Sequence, residues 1–144
     1  SIIFNSTKGY CEKYNTALST WYPLNSSTII SGISEFPTSG ATIISLGATQ
    51  PLPLGTVIVY PTYVWSIGIK LSQTRTGGSV IATVLKNGSI TSATVTINTD
   101  IQTAITVLTF PEIFAPGDVL SVILESFTFS PNFTDCVFTV GISS

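Results

Sequence analysis

Ser79-Val80-Ile81-Ala82-Thr83-Val84-Leu85-Lys86-Asn87-Gly88-Ser89-Ile90-Thr91-Ser92-Ala93-Thr94-Val95-Thr96-Ile97-Asn98 is the stretch that decides the fold. Two runs rich in β-branched residues flank Asn87-Gly88, a pair that accepts the positive φ angles of a type I′ hairpin turn. In the second run Ala93, Val95 and Ile97 alternate with Thr94, Thr96 and Asn98, the period of a strand with one packed and one solvated face. The same alternation places Trp65, Ile67, Ile69 and Leu71 opposite Ser66, Gly68, Lys70 and Ser72. A second turn is written in Ala115-Pro116-Gly117-Asp118, where Pro at i+1 and Gly at i+2 fit type II. Just before it, Pro111 donates no backbone hydrogen bond and is expected to break the ladder across 110–114.

Candidate strands lie at 28–34, 41–46, 56–60, 63–73, 79–86, 89–98, 101–109, 119–127 and 133–142, and helical periodicity is absent. So many short strands protect their edges best as two antiparallel sheets face to face. The expected class is therefore all-β, an antiparallel β-sandwich of jelly-roll type with eight or nine strands. Residues 1–26 lack a sustained period and are expected to form an extended N-terminal arm, a donor strand or connector, ahead of a head domain at 27–144.

Composition narrows the function. The chain has 144 residues, the size of one domain. Charged residues are 8% against 44% hydrophobic, and the mean hydropathy is +0.51. Disorder needs the opposite balance. Five Lys and Arg against seven Asp and Glu give no basic stripe for nucleic acid. Without His there is no imidazole base or ligand, and the acidic residues are scattered singly, so neither an enzyme nor a metal or cofactor site is expected. Pro, Gly or Ser/Thr runs interrupt every apolar stretch before the roughly 18 residues of a membrane-spanning helix. A neutral, hydroxyl-rich surface with near-zero net charge favours association, so the expected partners are copies of the same chain. The start at Ser1 without Met fits a cleaved leader or a start within a longer chain.

Individual residues carry further expectations. Cys11 lies in the arm, and Cys136 shares its phase with Phe138, Val140 and Ile142. A bridge between them, a bridge to a neighbouring copy and two thiols all remain open. Four sequons, at Asn5, Asn25, Asn87 and Asn132, are N-glycosylation candidates, and attached sugar would supply the solvation that charge does not. Asn87 also has a complete explanation as a turn residue, which leaves Asn25 and Asn132 as the better acceptors. Asp118 reads as a turn residue rather than a calcium ligand. Trp65 reads as core, Trp21 and Tyr22 as interface aromatics, and Ser1, Ile2, Ile3 and Phe4 as the apolar assembly segment of the arm.

Between Trp65 and Ser126, the order of a Gly-Gly turn, Val80 to Gly88, Ala93 to Ile97 and Phe114-Ala115-Pro116-Gly117-Asp118-Val119-Leu120-Ser121-Val122 resembles the jelly-roll head domains of bacterial spore-filament glycoproteins and phage fibres. That resemblance implies assembly and display. The low charge, sequons and apolar arm are similar to archaeal thread-type filament subunits, a likeness that implies donor-strand linkage between neighbours. The chain departs from these families in having no collagen-like repeat and no long hydrophobic helix. The reading that follows is a glycosylated structural subunit of an extracellular, cell-surface or virion-surface filament, polymerising through its arm. The alternative is a receptor- or glycan-binding head of a trimeric viral, phage or spore-surface fibre.

Overall fold

A computed structural model describes residues 2–7, 10–16, 19–23, 26–34, 40–45, 54–74, 76–98, 101–130 and 135–143. All regular structure among them is β. The first three strands, β1 (Ile2–Asn5), β2 (Tyr10–Asn15) and β3 (Thr20–Pro23), form a small antiparallel sheet in that order. The segment expected as an N-terminal arm thus contains a three-stranded meander. Tyr14 and Trp21 pair across β2 and β3 with ring centroids 5.3 Å apart, and such aromatic pairs are a recurrent source of sheet stability.

The body consists of β4 (Ser26–Ser34), β5 (Gly40–Ser45), β6 (Thr56–Val57), β7 (Thr62–Leu71), β8 (Gly77–Lys86), β9 (Ser89–Ile97), β10 (Thr103–Phe114), β11 (Val119–Ser130) and β12 (Asp135–Ser143). One sheet has the order β10-β7-β12-β4. The other has the order β5-β11-β8-β9, with β6 added against β11. With the two-residue β6 set aside, the body pairs first strand with last (β4 and β12), second with seventh (β5 and β11), third with sixth (β7 and β10) and fourth with fifth (β8 and β9). That is a jelly roll: one long hairpin curled over into two facing sheets. Asn87-Gly88 is the tip of the parent hairpin, with φ of 52° and 80° as a type I′ turn requires. Its antiparallel counterpart, Ala115 to Asp118, closes with Asp118 N–H donating to Ala115 O at 3.0 Å and Gly117 at φ 95°.

The core lies between the sheets where the alternation puts it. Ile67, Ile69 and Leu71 from β7, Val80, Ala82 and Val84 from β8, and Ala93, Val95 and Ile97 from β9 are buried with Leu120, Val122, Leu124, Phe138 and Val140. Trp65 is buried too, but it is the extra residue of a bulge. Ser66 and Val64 take the ladder positions on either side of it, so Val64 also reaches the core. The Trp65 indole N–H donates to Ser143 Oγ at 2.8 Å, giving the buried ring its polar partner. Pro111 does not end β10 as expected. The register shifts between Val107 and Glu112, and the strand then re-pairs with β7 as far as Phe114, the bulge absorbing the missing donor.

Candidate assembly surface

Edge strands matter first, because their outer N–H and C=O groups form a template for another strand. Among the described strands β10 is the last of its sheet, with β9 of the facing sheet running close to it. In residues 103–107 its pairing with β7 is regular, Ala104 packs against the core from the inward face, and Ile105 and Val107 point outward with 69% and 58% of their surface exposed. Across the outer face they stand beside Gly68 and Ser66 of β7, followed by Thr139 and Gly141 of β12, so small side chains leave the two aliphatic residues proud of the sheet. Further along, the Pro111 bulge blunts the same edge, a common protection against unwanted pairing. The stretch 103–107 lacks that device.

β1 is the matching feature. It pairs with β2 alone among the described strands, through Ile2 with Lys13, Ile3 with Glu12, Phe4 with Cys11 and Asn5 with Tyr10. Ile2, Ile3 and Phe4 are all exposed although they alternate in direction, so β1 shows apolar side chains on both faces. Beneath them Glu12 is 2% exposed, and Asn5 Nδ2 donates to its Oε2 at 3.1 Å. The Thr7 N–H donates to Asn5 Oδ1 at 3.1 Å, an Asx turn that leads the chain from β1 towards β2.

A polar network lies at the end of the sandwich where the Asn87-Gly88 and Ala115 to Asp118 turns meet. Asn87 Nδ2 donates to Asp118 Oδ1 at 3.0 Å, Val119 N–H donates to Asn87 Oδ1 at 2.8 Å, and Asn87 N–H donates to Val119 O at 2.8 Å. Ala115 N–H donates to Asp118 Oδ2 at 2.9 Å. Asn87 and then Ala115 hold the Asp118 carboxyl below its usual range, with Lys86 adding its charge from 3.9 Å. Lys86 Nζ also donates to Ile113 O at 2.6 Å. On the neighbouring edge, the Ser92 hydroxyl and N–H both donate to Glu112 Oε1 and depress that carboxyl in the same way. Around this network Val57, Val59, Tyr60, Ile90, Phe110 and Ile113 are exposed.

The structure places the sequence candidates as follows. Cys11 is exposed on β2 and Cys136 is buried on β12; no disulfide joins them, so the intramolecular staple is not formed. Asp118 is a turn residue. Asn87 is both exposed and bonded through each of its amide atoms, which accounts for it as a turn residue, while the Asn5 amide is committed to Glu12 and Thr7. Ser1, Asn25 and Asn132 lie outside the described residues. Trp21 is half-buried against Tyr14, and Tyr22 is on β3 opposite Lys13. Among the described residues no group of three or more acidic or Cys side chains is placed to hold a metal ion, and no helix is long and apolar enough to cross a membrane. The place of β10 at the end of its sheet among the described strands was missed in the sequence. Its signal is Ala104-Ile105-Thr106-Val107-Leu108, where aliphatic residues fall on both faces of an edge strand.

No protein-family model matches the chain, and no curated protein matches it in sequence. Among solved structures it is similar to a chain of the acidic stable capsid of Helicobacter pylori bacteriophage KHP30, with a TM-score of 0.47 and 11% identity over 83% of this chain and 87% of that one. It is also similar to a family 35 carbohydrate binding module from Clostridium thermocellum, with a TM-score of 0.38 and 12% identity over 81% of this chain and 92% of the other.

Proposed function

We propose that this chain is a structural subunit of an extracellular surface filament, joined to its neighbours by strand addition, with β1 of one copy lying along residues 103–107 of β10 in the next. The observation that supports this reading is the presence on one chain of two apolar strands of similar length, each last in its sheet among the described strands. β1 is four residues long, and the unblunted part of β10 is five. Joining them satisfies main-chain groups on both and buries Ile105 and Val107 together with Ile2 or Ile3. Because donor and acceptor are different surfaces, the contact is head-to-tail and continues as a polymer unless its rotation closes a ring. The role of the body is passive: it holds the acceptor edge straight. No catalytic step is assigned to it. Glycans at Asn25 and Asn132 would cover an exterior poor in charge.

Deleting residues 1–4 tests the proposal. Loss of polymer with retention of a folded body is the expected result, and undiminished polymer in the deleted protein overturns it. A second reading, a receptor- or glycan-binding head of a trimeric fibre, is favoured by the exposed rings of Tyr60 and Phe110, at 74% and 71%. Stacking on sugar is the use such rings would have there. A discrete trimer that loses glycan binding on Tyr60→Ala or Phe110→Ala would select it over the filament.

A further inference from the structure

Asn87-Gly88 is the one Asn-Gly pair in the chain, and it is both solvent-facing and structurally committed. In such a pair the Gly nitrogen, unhindered by a side chain on its own residue, can attack the Asn side-chain carbon. A new C–N bond forms, the carboxamide nitrogen leaves as ammonia, and the cyclic imide is opened by water to Asp or isoAsp. A Cβ built on Gly88 would meet nothing within 4 Å, so no distant part of the protein crowds the side-chain position of the attacking residue. What opposes the reaction is the hydrogen bonding of the amide. Attack makes Cγ tetrahedral and expels Nδ2, yet Nδ2 is the donor to Asp118 Oδ1 and Oδ1 is the acceptor for Val119 N–H. Both bonds are to the opposite hairpin, so together they fix the orientation of the carboxamide, and the Nδ2 bond is lost when ammonia leaves.

We propose that Asn87 is a self-modification site of this protein, kept unreacted by Asp118 and the Val119 N–H and converted to a carboxylate when that hold is lost. The consequence is local and directional. A carboxylate at position 87 replaces a donor with a like charge 3.0 Å from where Asp118 Oδ1 now accepts. The same change removes the partner that does most to keep the Asp118 carboxyl ionised. The junction between the two turns is thereby weakened on one side, while the bonds from Ala115 to Asp118 and from Ile58 to Asp118 O persist.

The test is the rate at which Asn87 gains one mass unit at pH 8, followed by peptide mass spectrometry in the native protein and in the same chain held unfolded in urea. Two hydrogen bonds, one to a charged acceptor, correspond to a native rate about thirtyfold below the unfolded rate. Folded Asp118→Ala, checked by circular dichroism, is expected to react at least about fivefold faster than the native protein. Asp118→Asn keeps one acceptor oxygen without the charge and is expected to react faster than the native protein but more slowly than folded Asp118→Ala. Equal rates in native and unfolded wild-type chains overturn the proposal, as does a folded Asp118→Ala variant as slow as wild type. If Asp118→Ala does not fold, Asp118→Asn decides: a rate below that of the unfolded chain supports the hold, and a rate equal to that of the unfolded chain overturns it.

Discussion

Replacing Ile105 and Val107 together by Lys separates assembly from folding. Both side chains point away from the core, and surface substitutions of that kind alter stability by no more than about 0.5 kcal/mol each. The melting temperature should therefore stay within a few degrees of wild type. Association is another matter. Complete burial of an Ile or Val side chain is worth about 1.5 to 3 kcal/mol. With 69% and 58% of their surfaces still exposed, the pair has about 3 kcal/mol left to gain when a strand covers it. Losing that gain weakens the contact about a hundredfold, and two ammonium groups along a strand edge oppose pairing further. Light scattering across a concentration series measures the change as a rightward shift of the assembly threshold by two decades or more. A double variant that assembles at the wild-type concentration while keeping its melting temperature refutes the assignment of β10 as the acceptor.

Further expectations concern the body of the fold. Phe138 is fully buried between the sheets, so Phe138→Ala should cost about 3 to 5 kcal/mol and lower the melting temperature by about 10 °C or more, read by calorimetry. Glu112 is held below its ordinary value of 4.5 by the Ser92 hydroxyl first, then by the Ser92 N–H and Lys86. A depressed carboxyl contributes stability that is present above its unfolded value and lost as pH falls through the folded one. Melting temperature should accordingly decline below about pH 4.5 in wild type and decline less in Glu112→Gln, whose amide oxygen still accepts from Ser92. Equal acid slopes in the two proteins would remove Glu112 from the account. Gly55 has φ 78°, and a Cβ there would overlap Val119 Cγ1, so Gly55→Ala should destabilise the protein by about 1 to 3 kcal/mol in a denaturant titration.

How much of this was legible beforehand depended on how local the signal was. The hairpin at Asn87-Gly88 and the buried phase of Ile67, Ile69, Leu71, Ala93, Val95 and Ile97 follow from nearest-neighbour geometry, and the structure has them as read. The jelly-roll class was also legible, because a long run of short alternating strands leaves few ways to bury its apolar faces. Pro111 misled because a proline forbids one donor and not a strand; the bulge that accommodates it depends on Glu112 and Ile113 re-pairing with Val64 and Tyr63. Trp65 kept its burial while its ladder position was lost to a bulge that no alternation pattern announces. Residues 2–23 concealed their strands because each is four to six residues long, too short for a period to emerge. The place of β10 at the end of its sheet was hidden for a different reason. Whether a strand is central or at an edge is a property of sheet order, and sheet order is set by pairings as distant in sequence as β4 with β12.

The central claim is that this chain polymerises through two different surfaces of itself, and the mass of the purified native protein in solution tests it most directly. Light scattering on the gel-filtered protein should give a broad, concentration-dependent distribution reaching far above 15.2 kDa. A sharp, concentration-independent mass of one chain would contradict the claim, and a sharp mass of three chains would replace the filament with the closed trimer.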